Sequence, residues 1–535
     1  MIDRRSVLTG AALSLVVPAL GIPLEAPAAA AGLRFGAPGP FSFEALVSEM
    51  RALAARPYVR ETNLPQDVLD LIDYEQHGKI KFNPDYALFR DGPGQFPVTF
   101  FHLGKYFRTP VRMYVLSAPG RPARAREILY DAAYFSMPAD SPARRLPRGA
   151  GFAGFRFQES RLVGADRLDW RRNDWVAFLG GCYFRGIGDL HQYGLSARAL
   201  AVDVAVPGRT EEFPQFTRFY FESPAGDSRQ VTVYATLEGP SVAGAFKFVM
   251  QREQGVVMDV DARLFPRSDI AQLGLAPMTS MYWFSETEKP TAVDWRPEIH
   301  DSDGLALATG TGEYVWRPLN DPRHPSTSTF NDHSPRGFGL LQRDRVFDHY
   351  LDGVRYDRRP SLWAEPLEDW GEGAVQLIEL PTNDEVQDNI VAMWVPKQPV
   401  KAGGTVQLRY RLYWSSSEPH QATLAHCVAT RLGRGGEPGQ VRPPAVHKFV
   451  VEFLGGPLAS LPSGTQAQPV LSASSGTFSD VRCEAVPDGV AGHWRALFDF
   501  TPAGAAVADI RLFLKNGSQT LSETWLYQYR PVDTA

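Results

Sequence analysis

The pattern of apolar residues changes from a helical to a strand period early in the chain. Apolar side chains from Phe43 to Met50 recur three and four residues apart, which predicts a helix over residues 41–55 that Ser42 can cap. Residues 65–72 are predicted to form a second short helix. After these two helices the helical spacing of apolar residues ends.

The remainder of the chain is dominated by short runs in which apolar and polar residues alternate. These runs are rich in β-branched and aromatic residues, and Gly, Pro, Asn and Asp interrupt them at short intervals, which is typical of an all-β sandwich or barrel. The clearest predicted strands are residues 111–116, 218–222, 230–237, 246–250, 256–262 and 405–414.

Residues 395–404 have the composition of a linker, with two prolines, two lysines and two glycines. The chain that follows has the length of one immunoglobulin-like sandwich. We therefore predict a large β domain over 32–396 and a small one over 397–535.

The first 31 residues are predicted to be an export signal. Arg4 and Arg5 precede an apolar run over residues 8–20, and a stretch of small residues follows, with a predicted cleavage site near Ala30. Paired arginines in this position indicate the twin-arginine pathway and therefore the periplasm. The alternative is a buried N-terminal helix.

Composition excludes some functions. The net charge of -5 gives no reason to expect nucleic acid as a partner. Three cysteines, Cys182, Cys427 and Cys483, are too few for a disulfide framework. One pair, Cys427 with Cys483, could form in an oxidising compartment, although spacing alone does not show that the two residues approach each other.

Three acidic clusters could supply catalytic carboxyl groups: residues 297–304 with Asp301, residues 363–370, and residues 381–394 with Asp388. Glycoside hydrolysis requires two carboxyl groups across the scissile bond, one protonated and one charged. Acidic residues beside Gly, Asn or Ser are more often turn formers, which is the alternative for each cluster. Asp388 is the strongest candidate because a predicted strand follows it directly.

Other catalytic patterns are missing from the sequence. It contains neither G-x-S-x-G nor H-E-x-x-H, and no dinucleotide or phosphate-binding loop. His300, His324 and His333 do not have the spacing of a local metal motif. We therefore predict no metal and no cofactor.

The chain resembles a known family, the MdoG/OpgG–OpgD family of periplasmic glucan biosynthesis proteins. It looks closest to the D-type members, which carry a twin-arginine signal. The matching runs extend in order over nearly the whole chain: residues 151–156, 183–185, 192–198, 272–281, 300–303, 317–320, 337–342, 359–363, 388–391, 410–414 and 522–529.

The resemblance implies a large β-sandwich of galactose-mutarotase type followed by an immunoglobulin-like sandwich. It also implies cleavage of β-1,2-linked glucan with inversion. Carried over by motif, Asp388 is the general acid and Asp301 the general base, while Glu385 and Tyr356 belong to the same cleft.

Candidate groups for sugar binding are Trp363, Trp370 and Trp394, which could stack on glucose rings, and Arg198 and Arg317, which could bind hydroxyl groups. The alternatives are that the tryptophans fill the core and that the arginines pair with structural carboxylates.

Two other functions are consistent with the same residues. The protein could be a non-catalytic glucan-binding scaffold for a membrane glucan synthase, or a transglycosylase. A scaffold needs no titrating pair of carboxyl groups, whereas both enzymatic functions do.

Overall fold

The computed structural model describes residues 32–60, 64–117, 123–162, 168–290, 292–419, 423–462 and 464–531. The predicted export signal, residues 1–31, lies outside these described residues. Strands account for 44% of the chain and helices for 9%, so the predicted all-β class with a β-sandwich fold is confirmed.

The helices are few and short. The α-helices are α1 (Phe43–Ala54), α2 (Gln66–Leu71) and α3 (Tyr74–Gly78), and the 3-10 helices are Pro84–Tyr86, Ala132–Tyr134, Pro142–Arg145, Phe347–His349, Tyr356–Arg358 and Gly456–Ser460. The two predicted helices are thus α1 and α2. Ser42 caps α1 as predicted, because its Oγ accepts a hydrogen bond of 3.1 Å from the N–H of Ala45.

The strands are, in chain order, β1 (Gly39–Pro40), β2 (Lys81–Phe82), β3 (Val98–Phe101), β4 (Arg112–Leu116), β5 (Arg124–Ile128), β6 (Phe135–Ser136), β7 (Gly154–Gln158), β8 (Asp174–Leu179), β9 (Tyr183–Gly186), β10 (Ser196–Arg198), β11 (Ala201–Val202), β12 (Gln215–Phe221), β13 (Gln230–Glu238), β14 (Val242–Arg252), β15 (Val256–Pro266), β16 (Leu273–Ser280), β17 (Tyr282–Phe284), β18 (Ile299–His300), β19 (Gly304–Ala308), β20 (Tyr314–Pro318), β21 (Ser326–His333), β22 (Gly337–Leu341), β23 (Ser361–Pro366), β24 (Glu372–Glu379), β25 (Ile390–Pro396), β26 (Val406–Ser415), β27 (His426–Arg434), β28 (His447–Leu454), β29 (Gln468–Ala473), β30 (Thr477–Ala485), β31 (His493–Thr501), β32 (Ala508–Asn516), β33 (Gln519–Thr520) and β34 (Thr524–Tyr529).

The chain divides into two compact units. The first contains Met1–Pro277 and Met393–Trp414, and the second contains Met278–Ala392 and Ser415–Ala535. This division differs from the predicted domains, because most of β26, which follows the predicted linker, belongs to the first unit. The boundary at residue 396 stays a prediction about which part of the chain folds on its own.

The first unit is a sandwich of two sheets. One has the order β1-β5-β4-β12-β13-β14-β15-β26, and the other runs from β16 through β10, β9, β8 and β7 to β3. Phenylalanines from both sheets meet between the layers. The Phe178 ring lies 5.2 Å from Phe248, and the Phe155 ring lies 4.8 Å from Phe219. Helix α1 packs Leu46 against other buried residues of this unit.

The second unit contains a sheet of order β23-β22-β19-β20-β34-β32-β29, with β33 paired to β32. A four-stranded sheet of order β27-β28-β31-β30 packs on its C-terminal strands. The Trp525 ring of β34 lies 6.0 Å from Phe449 and 6.3 Å from Phe498, so aromatic side chains fill the space between these layers. Two short strands, β17 and β18, form a separate ribbon in this unit.

The pairing of Cys427 with Cys483 does not occur in the described part of the chain, where all three cysteines are free. Cys427 lies on β27 and Cys483 on β30, which are the two edges of the four-stranded sheet. Strands are spaced about 4.8 Å apart, so three spacings separate the two cysteines. A disulfide requires Cα atoms closer than about 7 Å.

Candidate functional site

The four predicted catalytic residues all belong to the second unit, and its short β17–β18 ribbon positions the first of them. In this ribbon Tyr282 pairs with His300. Asp301 follows β18 directly, and its N–H donates a hydrogen bond of 2.8 Å to the carbonyl of Met281. Asp301 is therefore held beside the Met281–Tyr282 peptide.

Asp388 is brought to the same peptide by its neighbour Asn389. The buried Asn389 side chain accepts a hydrogen bond of 2.8 Å from the N–H of Tyr282 and donates one of 2.8 Å to the carbonyl of the same residue. It also donates a hydrogen bond of 2.9 Å to the carbonyl of Leu380, across the loop between β24 and β25. Asp388, the half-buried residue before it, is thus fixed close to the ribbon that carries Asp301.

Glu385 and Tyr356 are joined directly. The Tyr356 hydroxyl donates a hydrogen bond of 2.6 Å to Oε2 of Glu385. Arg296 donates to both oxygens of this carboxylate, at 2.8 and 3.3 Å, and also to Asp352 at 2.8 Å. Burial opposes the charge on Arg296, but Asp294, Glu385 and Asp352 outweigh it and raise the arginine pKa.

Tyr356 also faces Asp301. Burial raises the pKa of Tyr356 well above its usual value, and the negative charges of Asp301 and Glu385 raise it further. The hydroxyl therefore keeps its proton. Nε of Arg359 lies 3.3 Å from Oδ1 of Asp301, and its guanidinium lies 5.3 Å from the centre of the Tyr356 ring. Asp301, Tyr356 and Glu385 are therefore neighbours, and Asn389 anchors the chain next to Asp388 at the same ribbon. We call the four residues Asp301, Tyr356, Glu385 and Asp388 the carboxylate site.

Asp301 is largely covered, since only 7% of its surface is exposed. Its buried Oδ1 accepts no hydrogen bond from a described residue, although the ion pair with Arg359 balances its charge. A buried carboxylate oxygen without a donor is unusual in proteins.

A second, more deeply buried group lies behind Asp301. Nε2 of His300 is 2.9 Å from Glu298 and 3.6 Å from Asp303, and Nδ1 is 3.0 Å from Gln342. Burial would lower the pKa of His300, but the carboxylates of Asp303 and Glu298 outweigh this effect and raise it to about 10. The protonated ring then offsets part of the negative charge of these two carboxyl groups.

Some residues of this buried group have the geometry of metal ligands. The ligating atoms of Glu298, His300 and Asp303 lie within 4.8 Å of one another, and so do those of Glu298, Asp344 and His349. In the first set the protonated ring of His300 has no free lone pair with which to bind a metal, since both of its nitrogens carry a proton.

Two carboxyl groups near the site have raised pKa values that the sequence patterns did not indicate. Burial raises the pKa of Glu286 to about 8, and the charge of Glu298 adds to the shift. Burial also raises the pKa of Asp321 to about 7, although this residue accepts a hydrogen bond of 2.9 Å from the N–H of Thr382. Both shifts depend on burial, which is a property of the tertiary structure.

The predicted stacking tryptophans have low exposure. Trp363 is 2% exposed and Trp394 is 0% exposed, so neither presents a ring face to solvent. Trp363 packs over the glycines of β22, where a Cβ on Gly337 would come within 2.5 Å of its ring. Trp370 is half-buried, and its backbone N–H donates a hydrogen bond to Oγ of Ser334. Trp363 and Trp394 are therefore covered by the fold, and the role of Trp370 in sugar binding stays a prediction.

The two predicted sugar-binding arginines are also buried. Arg317 donates a hydrogen bond of 3.1 Å to Glu379, and both side chains are at most 3% exposed. Arg198, in the first unit, donates 2.8 Å to Glu211 and lies over the ring of Tyr183. Both arginines have the carboxylate partners that the alternative interpretation described.

Sequence analysis missed three side chains that hold the carboxylate site together: Arg296, Arg359 and Asn389. Arg359 and Asn389 lie in the runs that carry the family resemblance, so attention to the residues beside Asp388 could have found Asn389. Nothing in the local pattern distinguishes Arg296 from the other arginines of the chain.

A cavity of about 450 Å³ lies elsewhere, in the first unit. Its polar lining includes Glu159, Asp189, His191 and Arg252. Glu159 and Arg252 pair with each other at 2.9 Å. None of the predicted catalytic residues lines this cavity.

In the part of the chain that the structure describes, the helices are all too short or too polar to cross a membrane.

Comparison with known proteins gives a match over almost the entire chain. Residues 41–529 match the family described as periplasmic glucan biosynthesis protein, MdoG. The chain is 61% identical over 532 residues to glucans biosynthesis protein D 2 of Ralstonia nicotianae, covering 99% of this chain and 98% of that protein. It is 46% identical over 540 residues to glucans biosynthesis protein D of Stenotrophomonas maltophilia, covering 99% and 98%.

Among solved structures, a polysaccharide lyase aligns at 11% identity and a TM-score of 0.20, covering 71% of this chain and 45% of the lyase. A likeness this low carries no argument. The family match and the two relatives with high coverage do carry an argument, because membership of this family supports a role in glucan biosynthesis. The chain belongs to the MdoG family of periplasmic glucan biosynthesis proteins.

Proposed function

We propose that this protein is an inverting glycoside hydrolase that cleaves β-1,2-linked glucan during periplasmic glucan biosynthesis. The observation that carries the proposal is the shared anchoring of two carboxylate residues. The N–H of Asp301 and the side chain of Asn389, the neighbour of Asp388, both bind the Met281–Tyr282 peptide. Residues almost ninety positions apart are thereby brought to one place.

In the proposed reaction, protonated Asp388 gives its proton to the glycosidic oxygen as the bond to the anomeric carbon breaks. Water attacks that carbon from the opposite face, and its proton passes to the carboxylate of Asp301. Because Asp301 is mostly covered, we assign the Tyr356 hydroxyl as a relay: its O–H turns from Glu385 to Asp301, gives its proton to that carboxylate and takes the proton of the attacking water. Inversion requires room for the water, which corresponds to a carboxyl separation of about 6.5–9.5 Å, or more when a relay intervenes.

Glu385 has a supporting role in this proposal. Its carboxylate is held by two N–H groups of Arg296 and accepts the hydrogen bond from Tyr356. Such charge-assisted bonds are stronger than neutral ones and fix direction. Glu385 would therefore orient the Tyr356 hydroxyl before the reaction, while the two N–H groups of Arg296 hold the glutamate side chain in place.

The test is cleavage of purified linear β-1,2-glucan by the wild type, Asp388→Asn and Asp384→Asn. Asp384 is an exposed carboxylate of the same loop and serves as the matched control. We expect Asp388→Asn to reduce kcat by at least about 100-fold and the control to stay near wild type. Full activity of Asp388→Asn would exclude its role as the acid. Proton NMR of the first product would establish whether the anomeric configuration inverts.

The two other candidate functions are outcomes of the same experiments. If Asp388→Asn still supports glucan production in cells, the protein acts as a binding scaffold for a membrane glucan synthase. If the products include chains longer than the substrate, the protein is a transglycosylase. The covered position of Asp301 is the one observation that favours the scaffold, because a catalytic base must exchange protons with solvent.

We also propose that the chain reaches the periplasm by twin-arginine export, with cleavage near Ala30. The support is the order of charged, apolar and small residues in the first 31 positions. Cell fractionation of a variant with Arg4→Lys and Arg5→Lys tests this. We expect that variant to stay in the cytoplasm, and its normal export would contradict the proposal.

A further inference from the structure

The second unit exposes a set of large apolar side chains on two segments beside the carboxylate site. Single exposed apolar side chains are common on protein surfaces, whereas several large ones on neighbouring segments are typical of a binding surface. The set, which we call the apolar rim, consists of Val293 (95% exposed), Trp295 (69%), Val346 (50%), Phe347 (42%) and Leu351 (43%).

Trp295 is the most informative member. All eleven tryptophans of the chain lie in described ranges, and Trp295 alone among them is predominantly exposed. A tryptophan ring that remains in water forgoes the free energy that its burial would provide. The exposure of this ring therefore needs a reason that packing does not supply.

The backbone around Trp295 is rigidly held. Asp294 Oδ1 accepts a hydrogen bond of 2.8 Å from the N–H of Arg296, which closes a turn over Trp295. The ammonium group of Lys289 donates to the carbonyls of Asp294 and Arg296, each at 2.6 Å, on either side of the tryptophan. The exposed ring is thus attached to a fixed turn, and such preorganisation lowers the entropic cost of binding.

The second segment of the apolar rim is also unusual in its backbone. The N–H of Leu351 donates a hydrogen bond of 2.9 Å to the carbonyl of Phe347, at the end of a 3-10 turn. Leu351 has a φ of 63°, in the left-handed region that costs a non-glycine residue about 1 kcal/mol or more. Leu351 therefore has two unfavourable features, a left-handed backbone conformation and an exposed apolar side chain. Their combination again points to a function.

Arg296 connects the apolar rim to the carboxylate site. It follows Trp295 in sequence, and its guanidinium donates to Glu385 and to Asp352, each at 2.8 Å. Asp352 follows Leu351. One arginine therefore ties both segments of the rim to the carboxylate that binds Tyr356.

We infer that the apolar rim is a remote glucan-binding subsite, in which Trp295 stacks on a glucose ring several units away from the bond to be cleaved. The inference rests on the proposed function. A glucan is neutral, and both arginines at the rim are paired with carboxylates: Arg296 with Asp352, and Arg355 with Asp357, each at 2.8 Å. The apolar C–H faces of glucose need an aromatic platform and no charge.

The consequence is a preference for long chains. A short oligosaccharide that fills only the positions around the scissile bond does not reach Trp295. A long chain does, and gains the additional contact. Removal of the ring should therefore reduce activity on long chains alone, whereas damage to the fold or to the carboxylate site would reduce activity on all substrates.

The experiment compares kcat/KM for long linear β-1,2-glucan with that for the shortest β-1,2-glucooligosaccharide that the wild type cleaves. We expect Trp295→Ala to lose about tenfold on the long substrate, equivalent to about 1.4 kcal/mol, and to match the wild type on the short one. Trp295→Phe should retain part of the preference. The control is Tyr74→Ala, which removes a 47% exposed aromatic ring from the first unit.

Affinity for long glucan, measured by calorimetry, separates this inference from the proposed function. Wild-type protein that binds glucan without cleaving it would overturn the hydrolase, and a tenfold weaker Trp295→Ala complex would still support the subsite. Cleavage with an unchanged length preference in Trp295→Ala would overturn the subsite alone. Equal losses on both substrates, or wild-type protein that does not bind glucan, would also overturn it.

Discussion

Asn389→Ala is the perturbation that most directly tests how the carboxylate site is built. The Asn389 side chain is 3% exposed and makes three hydrogen bonds, two with the peptide groups of Tyr282 and one with the carbonyl of Leu380. Alanine removes all three. The N–H of Tyr282 and the two carbonyl groups then lose their partner inside the protein.

Each buried backbone group left without its partner costs about 1–3 kcal/mol. The loop between β24 and β25 has several exposed residues, so water can reach part of the gap, and we take the lower end of that range. The expected loss is about 3 kcal/mol in the free energy of unfolding. For a unit of this size, that loss lowers the unfolding temperature by roughly 6–12 °C.

The functional effect should exceed the effect on stability. Asn389 contributes no atom to the proposed reaction, but it fixes Asp388 against the ribbon that carries Asp301. A displacement of about 1 Å between reacting groups can reduce rate about 100-fold. We therefore expect kcat to fall by about this factor at a temperature where the variant is fully folded, while KM changes much less.

The assay measures reducing ends released from linear β-1,2-glucan, alongside thermal unfolding followed by circular dichroism. Asp384→Asn is the control, because Asp384 lies in the same loop but is exposed. One result would refute the reasoning: an Asn389→Ala protein that unfolds at lower temperature yet retains wild-type kcat. Asp388 would then hold its position without the hydrogen bonds to Tyr282.

Two further outcomes are expected. Tyr356→Phe removes the hydroxyl that donates to Glu385, so kcat should fall at least about tenfold with little change in KM; equal kcat values would exclude the relay. His300 has a pKa raised to about 10, so its contribution to stability is fully present below about pH 6.5 and is lost as pH rises through 10. Urea unfolding of wild type and His300→Gln between pH 7 and 10 should therefore show the wild type losing up to about 1.4 kcal/mol per pH unit more than the variant. Parallel curves would contradict the charge pairing of His300 with Glu298 and Asp303.

Much of the fold follows from local pattern. The pattern over residues 41–55 predicts a helix capped by Ser42, and α1 (Phe43–Ala54) lies within that range and has that cap. The alternating run at residues 256–262 lies inside β15. These elements are predictable because a helix and a half-buried strand each impose a short period on which residues are apolar.

The candidate site was likewise predicted in part from the sequence and decided in part by the tertiary structure. The sequence by itself nominated Asp301 and Asp388, which lie in runs that carry the family resemblance, and the resemblance implied Glu385 and Tyr356. Only the tertiary structure pairs Tyr356 with Glu385 and anchors Asp301 and Asn389 on the Met281–Tyr282 peptide. Hydrogen bonds between residues more than one hundred positions apart leave no periodic trace in a chain.

Exposure was decided only by the tertiary structure. Trp363 and Trp394 were candidate sugar platforms and are buried, whereas Trp295 was not considered and is 69% exposed. Local sequence cannot separate these cases, because all three rings have the same hydropathy. Whether a ring meets water depends on which distant strands cover it, and that depends on how the whole chain packs.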